Sequence, residues 1–118
     1  MGFQYKDKLI IEADNLAVLV YKLSLKAPKY ELYGFISQLQ RAALSVVLNM
    51  IEGYARQNRK EYRRFLDISY GSLKETMYLV EFGVKIGYFE NEEAEEINKE
   101  YDEIAKMLWS KIRTLKST

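Results

Sequence analysis

An all-α fold, an antiparallel up-and-down four-helix bundle, is predicted by three observations. Apolar residues recur at intervals of three and four in four separate segments, the signature of amphipathic helices. The 118-residue chain holds a single proline, Pro28, and its clearest other breaks are QN at 57–58 and IGYFEN at 86–91, so the connections are short. Helices joined by short loops pack as antiparallel neighbours. With 48% hydrophobic and 30% charged residues, the chain has the balance of one domain, 1–118, with one core. No Pro/Gly/Ser-rich linker, low-complexity segment or internal repeat divides it.

The first helix is expected from Tyr5 to Leu25, where Ile10, Ala13, Leu16, Ala17, Val20 and Leu23 share a face before Pro28 stops it. The second, from Glu31 to Arg56, is long and richly apolar. The third runs from Arg59 to Ile86. Asn58 followed by Glu61 resembles a capping box, and Gly87 is the residue type favoured just past a helix end. Tyr62, Phe65, Leu66, Ser69, Leu73, Met77, Val80 and Val84 line its apolar face. Gly71 and Gly83 each cost it up to about 1 kcal/mol relative to alanine; close approach of a neighbouring helix explains them better than a functional pocket. The fourth helix, from Glu92 to Lys116, has Asn91 as a good N-cap and Glu92 and Glu93 set against the helix dipole.

A formal net charge of +1 gives no overall bias toward nucleic acid or membrane. The distribution is uneven. RQNRKEYRR, 56–64, holds five basic residues against Glu61, whereas ENEEAEEINKEYDE, 90–103, holds eight acidic residues against Lys99. In an up-and-down bundle the 56–64 turn lies beside the chain termini, joining Lys6, Lys8, Lys111, Arg113 and Lys116. The acidic run falls at the other pole, about 40 Å away at about 1.5 Å per residue. A strong monomer dipole is the expectation.

Helix 2 carries an anomaly. At about 100° per residue, Gln38, Arg41, Ser45, Asn49, Glu52 and Arg56 fall within a band of about 80°. The rest of the helix is apolar over an arc wider than one core face needs, which points to a second buried surface, most simply between subunits. Gln38, Arg41, Ser45, Asn49 and Glu52 are therefore candidates for an oligomer interface or an inner polar line; a solvated outer face is the alternative. Glu52 and Arg56 are spaced for a pair within the helix.

The order of motifs ELYGFISQLQRAALSVVLNMIEGYAR, KEYRRFLDISYGSLKE and IGYF resembles the small four-helix-bundle proteins known from intervening sequences of bacterial 23S ribosomal RNA genes. The resemblance runs from about Tyr21 to the C-terminus and rests on the combination SQ-x-x-RAA-x-S, N-x-x-EG, E-[YF]-x-x-FL-x-I and GSL-x-E. Such proteins are similar to the accessory variability protein of diversity-generating retroelements, a pentameric barrel that works with a reverse transcriptase and its RNA. The resemblance thus implies a homo-oligomer, a pentamer, with an RNA-associated role. Three departures stand out. Gln40 and Arg41 replace a double Arg, Val47 and Leu48 replace a proline and a small residue, and KLIIEADNLA replaces a tryptophan-containing start of helix 1.

Three function classes follow. The first is RNA or nucleoprotein binding through Arg56, Arg59, Lys60, Arg63 and Arg64, with Tyr62 and Phe65 interleaved. Basic residues in the first turns of helix 3 oppose its dipole, so they do not serve that helix; a solvated face remains the plain alternative. The second is a protein–protein adaptor or assembly factor without nucleic-acid binding, with the acidic pole as a contact. The third, an enzyme, fits worst. The chain has no His or Cys, which removes the commonest general base, the thiol nucleophile and most transition-metal ligands. Glu92, Glu93, Glu95 and Glu96 lack the paired inward arrangement of di-iron bundles, and Glu96 and Glu100 are expected on a wet face. No catalytic residue, metal, cofactor or small-molecule substrate is expected. The start MGFQYKDK lacks a signal-peptide core and no apolar run suits a membrane span, so the expected location is cytoplasmic.

Overall fold

Asp7 sets the start of the first helix. In the computed structural model, which describes residues 6–116, its Oδ1 accepts the backbone N–H of Leu9 at 2.9 Å and of Ile10 at 3.3 Å, opening α1, Lys8–Ser24. The expected start at Tyr5 lies outside the described residues. After Pro28 comes a single 3₁₀ turn, Lys29–Glu31, and only then α2, Phe35–Tyr54.

This corrects the expected start of helix 2 at Glu31 and its end at Arg56. Gly34 adopts φ −117°, ψ −105°, well outside helical geometry, and the Glu31 carboxylate folds back to accept the N–H of Phe35 at 3.2 Å. A second Glu31 oxygen accepts the hydroxyl of Tyr88 at 2.5 Å. These bonds, that from Tyr88 foremost, hold the Glu31 carboxyl below its ordinary pKa.

α3, Arg59–Lys85, opens with Asn58 Oδ1 accepting the N–H of Glu61 at 3.1 Å. The reciprocal half of the capping box is not formed, because Glu61 turns instead to Arg64 at 3.2 Å. The helix ends as its sequence predicts. Gly87 has φ +86°, and the N–H groups of Gly87 and Tyr88 return to the carbonyls of Val84 and Gly83. In α4, Asn91–Lys116, Glu90 rather than Asn91 takes the cap position. Its carbonyl accepts from Glu93 and Ala94, and its N–H donates to Glu93 Oε1 at 3.0 Å.

The helices pack in cyclic order, α1 on α2, α2 on α3, α3 on α4 and α4 on α1, with the most extensive contact between α2 and α3. Leu16, Val20, Leu39, Val46, Leu66, Leu73, Val80, Ile104 and Leu108 fill the centre, almost wholly removed from water. The expected four-helix bundle is the observed one. Its long axis spans 46 Å, with the Lys26–Glu93 ion pair near one end and Arg59, donating to the Thr114 carbonyl at 3.1 Å, near the other. Among the described residues, no helix is long and apolar enough to cross a membrane.

The interior glycines divide. A Cβ at Gly83 would lie 2.4 Å from the Phe89 ring and 3.2 Å from that of Phe35 at the start of α2, so close approach explains it, by a loop ring and a neighbouring helix together. Gly71 has nothing within 4 Å, and close approach does not explain it.

Candidate functional site

The polar line of α2 runs along its groove with α3 and splits into two parts. Ser45 and Asn49 turn into the crevice. The Ser45 and Ser72 hydroxyls lie 2.7 Å apart, and Asn49 Nδ2 donates to the Ser45 carbonyl at 2.8 Å and to its Oγ at 2.9 Å. Deeper in, Ser69 Oγ donates to the Val46 carbonyl at 2.7 Å. The four residues form a small seam whose three hydroxyls and Asn49 amide N–H are hydrogen-bonded within one chain. Gln38, Arg41 and Glu52 stay exposed, and Arg56 pairs with Glu52 as its spacing predicts. Gln38 and Arg41 line an open groove with Phe35, Ala42, Tyr78, Leu79 and Phe82.

Apolar side chains flank this line in the open. Leu44 and Leu48 on α2 are 39% and 57% exposed, and Ile68, Tyr78 and Phe82 on α3 are exposed as well. The wide apolar arc of α2 is therefore only partly covered by its own bundle. Gly53 shows why the two helices approach so closely, since a Cβ there would lie 2.8 Å from Phe65 Cβ and 3.2 Å from the Tyr62 carbonyl oxygen.

At the basic pole, Phe65 lies between two guanidinium groups, Arg64 at 4.5 Å and Arg56 at 5.0 Å from its ring centre. Lys111 lies 5.7 Å from the Tyr62 ring. Burial first, then the Asp7 and Tyr54 charges, push the Tyr62 hydroxyl up to about 12. Lys60 is exposed, and Arg63 is half-buried with its Nε unpartnered among the described residues. The five candidate residues thus come together at one pole, with Arg56 and Arg64 each partly neutralised by a glutamate.

Pairing at both poles weakens the expected dipole, because Lys26 meets Glu93 at the acidic one. That contact comes second to the Glu90 N–H in lowering the Glu93 pKa. Glu100 corrects the expectation of a wet face. It is half-buried against Glu12 of α1, its Oε2 is removed from water without a hydrogen-bond partner, and burial, then Glu12 and Glu103, push its carboxyl up. The signal was in the chain, since Glu100 falls three residues after Ile97 and four before Ile104 on the buried stripe.

One cluster escaped sequence reasoning. On the α3–α4 face the Tyr70 and Trp109 rings lie 5.8 Å apart, and Lys74 Nζ lies 5.4 Å from the Tyr70 ring and 6.0 Å from that of Tyr101. Trp109 lies outside the three-and-four apolar stripe of α4, and that misfit was the available signal.

Comparison with known proteins gives the chain relatives of the same architecture. A crystal structure of a protein of unknown function from the S23 ribosomal protein family of Bacteroides thetaiotaomicron matches with a TM-score of 0.78 and 26% identity, over 88% of this chain and 97% of that one. The search of curated proteins found no match. The family model described as 23S rRNA-intervening sequence protein matches residues 6–110. With its motifs gathered at the α2–α3 seam and nearly its whole length matched, the chain belongs to the 23S rRNA-intervening sequence protein family.

Proposed function

We propose that this chain is a non-enzymatic helical scaffold. It assembles into a homo-oligomer, a pentamer by the family resemblance, and holds RNA or a nucleoprotein at its basic pole. The observation that carries the reading is the uncovered apolar surface of α2 and α3 beside a hydrogen-bonded polar seam. Leu44, Leu48, Ile68, Tyr78 and Phe82 lie in water in the single chain. Burying half of one leucine is worth about 1 kcal/mol, so several such side chains along one face can drive association. Arg41, exposed on the same face, would then find a carboxylate of a neighbouring copy. Repetition of Arg59, Lys60, Arg63 and Arg64 around a ring would multiply the phosphate contacts each chain offers.

The experiment is a mass measurement followed by a binding titration. Five chains of 13.9 kDa would give a particle of about 70 kDa, and Leu48→Glu should return it to monomer. A monomer at micromolar concentration for the unaltered chain overturns the assembly. RNA binding should weaken steeply with salt and drop when Arg59, Lys60, Arg63 and Arg64 become Glu. A second reading, an adaptor for another protein without nucleic acid, is favoured by the opposite end, where Tyr30 and Tyr33 are 81% and 93% exposed. Oligomers that ignore RNA at low salt would support it.

A further inference from the structure

We infer that the α3–α4 face carries a base-stacking platform for single-stranded RNA, built on Trp109 and Tyr70 and continuous with the basic pole. The inference rests on the RNA reading above and extends it from phosphate contacts to base faces.

Trp109 is the chain's one tryptophan and remains 48% exposed, its ring tilted against that of Tyr70. An indole left half in water is apolar area that its own fold has not covered. Its surroundings say what would cover it. Lys106 and Arg113 stand three residues before and four after Trp109, so they flank it on the same side of α4, and both are exposed. Across the groove, Lys74 sits near the Tyr70 and Tyr101 rings. Arg63 and Arg59 precede Tyr70 by seven and eleven residues, close to two and three helical turns, and so fall on nearly the same face of α3.

The result is a track of cations and rings. It starts at Arg59 on the basic pole and reaches Tyr70 after about 16 Å of helix. Asp67 and Asp102 are the acidic residues interspersed along it. Rings interleaved with cations suit a strand whose bases are unpaired and whose phosphates follow the groove. A duplex hides its base faces, and an acidic peptide would satisfy the lysines and arginines while leaving the rings uncovered. The face adjoins the assembly surface proposed above at Lys74, which also lines the groove of Gln38 and Arg41, while Trp109 itself stands on α4 outside that groove.

The single tryptophan makes the test direct. The full chain is titrated with a uridine 15-mer, with a duplex RNA of equal length and with poly-glutamate, following Trp109 fluorescence. In parallel, the anisotropy of a labelled 15-mer is measured for the unaltered chain, Trp109→Leu, Trp109→Phe and Tyr70→Leu, each checked for unchanged helicity. The single strand should quench Trp109, while the duplex and poly-glutamate should quench it little. Trp109→Leu and Tyr70→Leu should each lose about tenfold in affinity with an unaltered salt slope, and Trp109→Phe should retain most of it. Quenching by duplex or by poly-glutamate equal to that by the single strand overturns the platform. So does tight 15-mer binding with unchanged fluorescence and a neutral Trp109→Leu, which leaves the basic-pole reading standing. If no RNA binds at all, that reading falls and the platform with it.

Discussion

Between α2 and α3 the backbones come so close that a methyl group at Gly53 would press on Phe65, whereas between α1 and α4 two carboxylates, Glu12 and Glu100, are pushed together with one oxygen buried and unpartnered. The first contact uses small residues and short hydroxyl bridges, Ser45 with Ser72 and Ser69 with the Val46 carbonyl. The second leaves like charges facing each other. The family motifs RAA-x-S, N-x-x-EG and GSL-x-E lie on the tight pair, which also holds the departures at Gln40–Arg41 and Val47–Leu48, and the longer departure KLIIEADNLA lies on the loose one. Tight backbone approach admits few side chains, so residue types are dictated there. On the loose pair, apolar spacing is the main demand.

The largest expected effect breaks the tight pair. Gly53→Val places a branched side chain 2.8 Å from Phe65 Cβ and should lower unfolding free energy by about 3 kcal/mol in urea titration. An effect below about 1 kcal/mol would show that α2 and α3 can part easily. Gly71→Ala, on the same helix pair but with nothing within 4 Å, should stabilise by up to about 1 kcal/mol, because it removes helix-interior glycine without a clash. Ser69→Ala lies between them in size. It strips the Val46 carbonyl of a buried donor and should cost about 1 to 2 kcal/mol by the same titration. If Ser69→Ala proves harmless, the hydroxyl bridges are incidental to the seam.

The sequence made the helices legible because burial on one side imposes a period that survives any detail of packing. Ends were less legible. Read in sequence, ELYGF continues the pattern of α2, and only the three-dimensional return of Glu31 to Phe35 and Tyr88 shows that Gly34 breaks it. The polar line of α2 was visible as a line. Its division was not, because Ser45 and Asn49 find their partners on α3 and within their own turn, information that a single helical wheel lacks. Trp109 was overlooked for a related reason, since its meaning comes from Tyr70 on another helix.

The smallest effect sharpens the contrast from the loose side, and like Gly71→Ala it stabilises. The Glu100 carboxyl titrates above its ordinary value of 4.5 in the folded chain, through burial and then the neighbouring Glu12 and Glu103. Folding therefore takes up protons above that value, and stability is lost as pH rises from the ordinary carboxylate range through the raised one. Glu31 and Glu93, whose carboxyls are held low, act in the other direction and lose their contribution as pH falls. Glu100→Gln removes the facing charge while keeping the shape. It should melt above the unaltered chain at pH 7, and the gap should close toward pH 4, where Glu100 regains its proton. Equal melting at both pH values would mean that the α1–α4 contact tolerates its carboxylates without strain. In that case the looseness of this pair would reflect helix spacing alone rather than charge.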